Sequence, residues 1–329
     1  MPKISVVMPV YNGEKFLREA IDSILNQTFS DFEFIIINDA STDSTEDIIK
    51  SYDDKRIVYL KNSSNLGVAC SLNNGLDIAR GEYIARMDAD DISLPERFAK
   101  QVAFMDKHKD IGVCGTWIEF FGERKGIFKN TVGKKQTKID MLFSSCIAHP
   151  SVIIRKAILE KYDFFYNKNY EQVEDYELWC RISRHYDIDN IPEALLKYRC
   201  HDKQVTQNIT TDFIEKMGTL KKNILLYYNV DFTRPELEAY TKYCLGISLG
   251  KKENRYLFNL LEKIYIINNN NFFFDKLTLR NTFKTILIRY IQLNKDCAKE
   301  LCKNYSYINM IDIYLYKIKT LLGNTVRRV

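Results

Sequence analysis

The sequence lacks the cysteine and glycine motifs that mark several common classes of protein. Its eight cysteines are scattered over 329 residues without a C-x-x-C pair, which argues against both a zinc site and a disulfide framework. It also contains neither G-x-G-x-x-G nor G-x-x-x-x-G-K-[ST]. A dinucleotide-dependent dehydrogenase and a P-loop enzyme are therefore disfavoured.

Long apolar runs are missing as well. No uncharged apolar run reaches the roughly 18 residues that a membrane-spanning helix needs. The N-terminal stretch MPKISVVMPVYNGEKFL passes directly into a strand pattern, without a charged-then-apolar leader. We therefore expect a cytoplasmic protein, with the inner face of the plasma membrane as a peripheral location if its basic region binds lipid.

Charge is unevenly distributed along the chain. From residue 207 onward, 20 Lys and Arg stand against 11 Asp and Glu, whereas residues 1–206 carry 28 and 32. Over 273–329 the basic residues accompany helical apolar stripes. We expect this region either to pack as a helical subdomain with a solvated basic face or to contact an anionic membrane surface. It contains no nucleic-acid-binding motif, and no nucleic-acid partner is expected.

Short apolar strands alternate with helical patterns over the first hundred residues. ISVVMPV (4–10), FEFIIIND (32–39) and RIVYLKN (56–62) have the length of buried strands, and apolar residues at helical spacing separate them. This alternation predicts an α/β fold with a mainly parallel sheet. Beyond residue 206 the pattern becomes helical, with a loop predicted at 266–274.

Three aspartates occur within four positions directly after one apolar run. GEYIARMDADD places Asp88, Asp90 and Asp91 behind Tyr83–Ala85. Carboxylates this close raise one another's pKa unless a cation lies among them, so the cluster is either spread out in water or binds a metal. Asp39 follows another strand, and ligands of parallel sheets bind beyond the carboxyl ends of the strands. Without a glycine-rich loop, a hard divalent ion on these oxygens would supply the counter-charge for a diphosphate.

Four motifs follow one another in the order and at the spacing of a known enzyme family. VVMPVYNGEKFL, INDASTDST, GEYIARMDADD and VEDYELW together cover about residues 3–206. In these motifs the chain resembles the family 2 glycosyltransferases of the GT-A fold, most of all the bacterial enzymes that add β-linked N-acetylhexosamine or hexose to surface glycans. The resemblance implies a Rossmann-like GT-A catalytic domain followed by a helical C-terminal region.

The resemblance also implies domain boundaries and roles for individual residues. Residues 1–105 would bind the nucleotide sugar, 106–206 would hold the acceptor and the catalytic base, and 207–329 would form the helical basic region. The residues expected to bind the donor are Pro9, Val10, Tyr11, Asn12, Asp39, Arg86, Asp88, Ala89 and Arg199. The residues expected to ligate Mn²⁺ or Mg²⁺ are Asp90 and His201. Asp175 would be the base, beside Glu174, and Tyr198–His201 would lie on a flexible segment that closes over the diphosphate.

The implied reaction transfers a sugar from a UDP-sugar to a hydroxyl of a glycan or lipid-linked glycan in cell-surface polysaccharide or lipooligosaccharide synthesis. GlcNAc, GalNAc, Gal and Glc all remain possible as the donor sugar. Departure of UDP builds negative charge that a metal stabilises, and a carboxylate takes the acceptor proton. In-line displacement inverts the anomeric centre. No Ser–His–Asp or Cys–His arrangement indicates a covalent nucleophile.

Several assignments have an alternative in ordinary structure. Asp39 could cap the helix that follows it, and Glu174 and Asp175 could be first-turn acids favoured by the helix dipole. His201 could be a solvated loop histidine, and Arg86 an ordinary strand residue. For the whole chain, the alternatives are a sugar-nucleotide hydrolase or nucleotidyltransferase on a similar sheet, and a carbohydrate-binding or scaffold protein without activity.

Overall fold

A computed structural model of the chain describes residues 1–201, 210–293 and 304–305. The chain divides into two compact units, the first comprising Met1–Phe213 and the second beginning at Ile214. Among the helices of the described ranges, none is both long enough and apolar enough to cross a membrane.

One mixed sheet organises the first unit. Its strands are β1 (Ile4–Val10), β2 (Phe32–Asn38), β3 (Ile57–Lys61), β4 (Tyr83–Arg86), β5 (Ile92–Ser93), β6 (Ile111–Gly122), β7 (Gly126–Phe128), β8 (Ile153–Arg155) and β9 (Asp187–Cys200). Their order is β3-β2-β1-β4-β8-β6-β9-β5, and β7 pairs with β6. Strands β3, β2, β1 and β4 are parallel, β8 is antiparallel to both neighbours, and β6 and β9 are parallel again. The predicted α/β fold with a mainly parallel sheet is confirmed.

Seven helices lie between the strands of the sheet in the sequence, and four more come after its last strand in the described ranges. Those of the sheet-containing part are α1 (Leu17–Leu25), α2 (Thr45–Lys50), α3 (Val68–Ile78), α4 (Arg97–Lys107), α5 (Lys134–Asp140), α6 (Lys156–Tyr162) and α7 (Glu174–Ile182). Short 3₁₀ turns lie at His149–Ser151 and Lys168–Tyr170. The C-terminal helices are α8 (Thr211–Tyr227), α9 (Arg234–Cys244), α10 (Lys251–Asn271) and α11 (Lys276–Leu293). The predicted helical C-terminal region is confirmed.

The central strands are apolar because both of their faces are covered. Every residue of β1 and β2 is buried, as expected for parallel strands between layers of helices. Helix α1 packs its one apolar stripe, Leu17, Ala20, Ile21 and Ile24, into the same core. Because the core holds β1 and β2 in place, it also positions the polar residues that come just after these strands, among them Asn12 and Asp39.

The asparagine-rich stretch at 266–274 is mostly helical, so its prediction as a loop is wrong. Helix α10 continues to Asn271, and Phe272 ends it in a left-handed conformation with φ 55°. The buried side chain of Asn268 accepts a hydrogen bond from Phe274 N at 2.8 Å and donates one to Phe274 O at 3.1 Å. Asn268 therefore holds the turn that follows the helix. Composition alone does not reveal this contact.

Gly81 lies where the chain enters β4 and passes close to β1. A Cβ atom at this position would stand 2.4 Å from Ser5 N and 2.6 Å from the Ile4 carbonyl carbon, both backbone atoms. We expect Gly81→Ala to lower the free energy of unfolding by about 1–3 kcal/mol, the usual cost of overpacking. Urea unfolding followed by the fluorescence of Trp117 and Trp179 measures this change.

Gly218, inside helix α8, is the matched control. The atoms nearest to a Cβ there are the Thr241 side-chain atoms at 3.9 and 4.0 Å, which is ordinary van der Waals contact. Gly218→Ala should be neutral or stabilise by up to about 1 kcal/mol through helix propensity. A Gly81→Ala protein as stable as the wild type would contradict the close approach of the two strands.

Candidate active site

Two loops that follow β1 and β2 are held together at the carboxyl edge of the sheet. Asn12, in a left-handed conformation with φ 50°, donates from its backbone N to Ser41 Oγ at 2.9 Å, and its Oδ1 accepts from Thr42 N at 2.9 Å. Pro9 and Val10 are buried at the end of β1, whereas the Tyr11 side chain is 51% exposed. This edge of the sheet therefore carries the exposed ring of Tyr11, next to the backbone of Asn12 that these hydrogen bonds hold in place.

Asp39 is buried and its carboxylate holds the loop that enters α3. It accepts hydrogen bonds from Asn62 Nδ2 at 2.7 Å, Leu66 N at 2.8 Å and Gly67 N at 2.9 Å. The helix that follows Asp39 is α2, and these bonds do not go to it, so the interpretation of Asp39 as the cap of that helix is wrong. The carboxylate instead ties the end of β2 to the residues that follow β3.

The three aspartates after β4 come together as a cluster. One carboxylate oxygen from each of Asp88, Asp90 and Asp91 lies within 4.8 Å of the others. Asp88 forms an ion pair with Arg86, and His201 Nε2 lies 3.0 Å from Asp90 Oδ2. His201 is therefore a partner of the cluster and not a solvated loop histidine.

Within the described ranges, the ion pairs of the cluster, with Arg86 and His201, do not offset the charge of its three carboxylates. Burial and the neighbouring carboxylates raise the pKa of Asp91 well above its usual value, and burial raises the pKa of Asp88 despite its ion pair with Arg86. Asp91 Oδ2 is buried, and no residue of the described ranges forms a hydrogen bond to it. Oxygen ligands with unmet charge are what a hard divalent cation requires, so the residues fit Mn²⁺ or Mg²⁺.

Arg199 ties the end of β9 to this cluster. Its backbone N donates to Asp91 Oδ1 at 2.8 Å, and its Nε donates to Asp90 O at 2.7 Å. The guanidinium also pairs with Glu19 at 2.7 Å and lies over the rings of Phe16 and Phe121 at 4.2 and 4.4 Å.

The segment around Arg199 differs from the prediction in one respect. Strand β9 continues to Cys200, so Tyr198–Cys200 lie in regular structure and not on a flexible segment. Pairing with the long β6, which places Phe121 opposite Arg199, holds this end of the strand in the sheet.

Glu174 and Asp175 begin helix α7, where the helix dipole alone would favour their ionised forms. Burial and the charge of Asp175 nevertheless raise the pKa of Glu174 to about 7, and burial raises that of Asp175 to about 6. Desolvation therefore outweighs the dipole. Glu174 Oε2 is buried and accepts no hydrogen bond from the described part of the chain. Burial thus distinguishes the pair from ordinary first-turn acids, which lie in water and keep low pKa values.

Arg86 acts electrostatically on both groups of acids. Its side chain is 7% exposed at the end of β4, and its positive charge lowers the pKa of Asp88, of Glu174 and of Asp175 against the effect of burial. Arg86 is therefore more than an ordinary strand residue, because its buried charge favours the ionised form of carboxylates in both groups.

Arg97 is a second buried cation, which the sequence did not indicate. It is fully buried in α4 and donates from a guanidinium nitrogen to Arg86 O at 2.8 Å and to Val152 O at 3.2 Å. Burial, together with the charge of Arg86, lowers its pKa to about 9. Its hydrogen bonds join the ends of β4 and β8 immediately before the aspartate cluster.

Tyr166 is a buried residue near the acidic pair, and the sequence did not indicate it either. Its hydroxyl lies 3.0 Å from His149 Nε2, and the charges of Asp175 and Glu174 contribute to raising its pKa above the usual value, after burial. The Asn73 amide pairs with both backbone groups of Tyr166, at 2.9 and 2.8 Å. Asn73 is 93 positions away from Tyr166 in the sequence, so no local pattern could have identified this contact.

The chain resembles known proteins in this part. Residues 5–163 match the family described as Glycosyl transferase family 2. A Haemophilus influenzae protein named an uncharacterized glycosyltransferase is 36% identical over 242 residues, which are 69% of this chain and 74% of that protein. The O-antigen biosynthesis glycosyltransferase WbnJ of Escherichia coli is 36% identical over 217 residues, 62% of this chain and 82% of WbnJ. TarS 1-349 of S. aureus, in complex with UDP-GlcNAc, has a similar fold with a TM-score of 0.61 and 22% identity, over 80% of this chain and 81% of that TarS 1-349 chain.

Proposed function

This chain belongs to the family 2 glycosyltransferases and has the GT-A fold, and from that premise we propose that it transfers a sugar from a UDP-sugar to a glycan hydroxyl with inversion of the anomeric centre. The observation that carries the proposal is the placement of two acidic groups around one buried cation. The aspartate cluster has unmet negative charge, and the pair at the start of α7 has pKa values raised to about 7 and about 6. Arg86 acts on both.

We assign the aspartate cluster to the diphosphate of the donor. A bound Mn²⁺ or Mg²⁺ would supply Lewis-acid stabilisation of the departing diphosphate there. Asp90 and His201 would hold the ion, and the unpartnered Asp91 Oδ2 is available beside them. Asp88, oriented by Arg86, would face the ribose and the donor sugar.

We assign the remaining donor contacts to the loops at the carboxyl ends of β1 and β2. Tyr11 offers an exposed ring for the uracil, next to the backbone that Asn12 holds in place. Asp39 would contribute through the loop whose N–H groups it binds. Ala89, between Asp88 and Asp90, would contact the donor, and Arg199 holds the backbone carbonyl of Asp90 and the carboxylate of Asp91.

Asp175 is the base in this proposal. Its carboxylate is ionised above about pH 6 and sufficiently basic to take the proton of an acceptor hydroxyl as the new bond forms. Glu174, with its pKa raised to about 7, would tune the charge beside it. No covalent intermediate is needed, so an α-linked donor would give a β-linked product.

The acceptor proposed is a hydroxyl of a cell-surface polysaccharide or lipooligosaccharide. WbnJ, by its name, acts in O-antigen biosynthesis, which supports a surface glycan. A lipid-linked acceptor would suit a cytoplasmic enzyme at the inner face of the membrane. The membrane contact predicted for the basic C-terminal region falls largely on 294–303 and 306–329, which lie outside the described residues.

A donor panel tests the proposal. Release of the nucleoside diphosphate would be measured: UDP from UDP-GlcNAc, UDP-GalNAc, UDP-Gal and UDP-Glc, each with Mn²⁺ or with EDTA, and GDP from GDP-mannose as the control donor. UDP-GlcNAc comes first because TarS was crystallised with it. We expect slow hydrolysis of one UDP-sugar, abolished by EDTA, since water replaces a missing acceptor.

Two further outcomes separate the alternatives. Simple glycoside acceptors should raise the rate of a transferase, whereas a sugar-nucleotide hydrolase would not respond to them. No turnover and no binding of any UDP-sugar, with either metal, would refute the proposal.

A further inference from the structure

A strongly basic segment interrupts the otherwise acidic first part of the chain. Residues 122–138, here called the basic segment, contain six Lys and Arg and a single Glu, whereas residues 1–206 as a whole carry 28 Lys and Arg against 32 Asp and Glu. The segment therefore has a net charge of +5 within a region whose total is −4. It comprises the last residue of β6, the turn after it, the short strand β7, the connection 129–133 and most of helix α5.

The basic segment also exposes large apolar side chains. Ile127 is 56% exposed, Phe128 48% and Val132 43%. Strand β7 pairs with β6 alone and leaves its other edge open within the described ranges. An exposed edge with adjacent Ile and Phe is a liability in water unless something covers it.

Two of the charged groups of the basic segment lie on aromatic rings of β6. Arg124 lies over the Phe120 ring at 4.1 Å, and Lys129 lies over the Trp117 ring at 5.1 Å. Lys134 forms ion pairs with Asp110 and Asp187. No carboxylate of the described residues forms an ion pair with Arg124, Lys125 or Lys129. Cationic groups that lie on aromatic rings without a carboxylate partner can still bind an anionic surface.

The basic segment leaves the sheet beside the candidate active site. Its first residue, Gly122, pairs with Cys200, and Glu123 N donates to Cys200 O at 3.1 Å. The neighbouring residues Arg199 and His201 contact the aspartate cluster. The open edge of β7 and the acidic cluster therefore lie at the same end of the β6–β9 pair.

We propose that the basic segment is a membrane-docking surface that binds the anionic headgroups of a phospholipid bilayer and inserts Ile127 and Phe128 among them. Apolar side chains interleaved with Lys and Arg are the composition of interfacial segments. Docking would hold the site next to the bilayer independently of the reaction that occurs there. The surface lies in the first unit and differs from the C-terminal region for which membrane contact was predicted.

Two other occupants of the basic segment, the C-terminal sequence and a second copy of the chain, fit its charge and its apolar residues less well. The sequence beyond residue 305 carries four Lys and Arg against one Asp, so it would be repelled by the basic segment. A second copy of the chain could offer an acidic surface, but acidic groups alone would leave Ile127 and Phe128 without an apolar partner. A bilayer with anionic headgroups meets both requirements.

Vesicle sedimentation of the full chain tests the proposal. The lipids are phosphatidylcholine alone, and phosphatidylcholine mixed with phosphatidylglycerol in equal parts. We expect binding to the mixed vesicles only, weakening as salt screens the charges. Each basic residue near an anionic surface contributes about a fivefold change in binding. Lys125→Glu combined with Lys129→Glu should therefore weaken binding more than about tenfold, and Ile127→Ser should weaken it without a change of charge.

Lys55→Glu combined with Lys107→Glu is the matched control. Both lysines are exposed and lie near the starts of β3 and β6, whereas the exposed Ile127 and Phe128 pair with the other end of β6. This variant changes the net charge equally and should bind vesicles like the wild type. Circular dichroism checks that each variant is folded. Equal binding by the Lys125/Lys129 variant and its control, or equal binding to both lipid mixtures, would overturn the proposal. So would sedimentation equilibrium showing a wild-type dimer that the Lys125/Lys129 variant loses, because the occupant would then be a second copy.

Discussion

Asp90→Asn is expected to reduce metal-dependent release of UDP by at least about 10²-fold, because a metal contributes several kcal/mol of charge stabilisation to such a reaction. Asp90 contributes one oxygen to the aspartate cluster, and its Oδ2 lies 3.0 Å from His201 Nε2. Replacement of one ligand by a neutral amide leaves the shape of the site and removes part of its charge. A titration of UDP release against Mn²⁺ should show both a lower maximal rate and a higher Mn²⁺ requirement.

Asp53→Asn provides the control for Asp90→Asn. Asp53 is an exposed acid in the turn before β3, at the opposite end of that strand from the site. Its replacement should leave the rate and the Mn²⁺ titration unchanged. If Asp90→Asn also retained the wild-type Mn²⁺ titration, the aspartate cluster would not be the metal site, and the diphosphate would need another counter-charge.

The sequence could predict those parts of the fold in which consecutive strands of the chain are also neighbours in the sheet. Strands β1, β2 and β3 occur in chain order with helices between them, so apolar periodicity was sufficient. The remainder of the sheet depends on distant pairs, since β6 at Ile111–Gly122 pairs with β9 at Asp187–Cys200. No periodicity specifies such a partner, because each strand's own pattern is satisfied by any apolar neighbour.

The same distinction applies to the candidate site. The aspartate cluster could be predicted because its three acids are adjacent in the sequence and follow a strand. The family resemblance predicts that His201 joins the aspartate cluster, and in the structure His201 contacts Asp90. Tyr166 could not be found, because its backbone is fixed by Asn73, 93 positions away. Arg97 was missed since a helical arginine is ordinarily exposed, and only the packed structure buries it.

Asp175→Asn is expected to reduce sugar transfer about 10²–10⁴-fold while donor binding stays intact, the range typical for loss of a general base. Only the ionised carboxylate can accept a proton, and burial raises the pKa of Asp175 to about 6. Wild-type transfer should therefore be constant at high pH and fall as the pH drops through about 6. The measurements are the pH dependence of transfer and the affinity for the UDP-sugar by calorimetry. Glu171→Gln, at an exposed acid just before α7, should keep the wild-type pH profile.

The residual activity of Asp175→Asn distinguishes which of the two acids is the base. The charge of Asp175 is one cause of the raised pKa of Glu174, after burial. Its removal should lower the Glu174 pKa from about 7, so any activity that depended on Glu174 would persist to lower pH than in the wild type. If Asp175 is the base, the residual transfer should be slow and should lose the inflection near pH 6. Transfer at the wild-type rate in Asp175→Asn, together with its loss in Glu174→Gln, would move the assignment from Asp175 to Glu174.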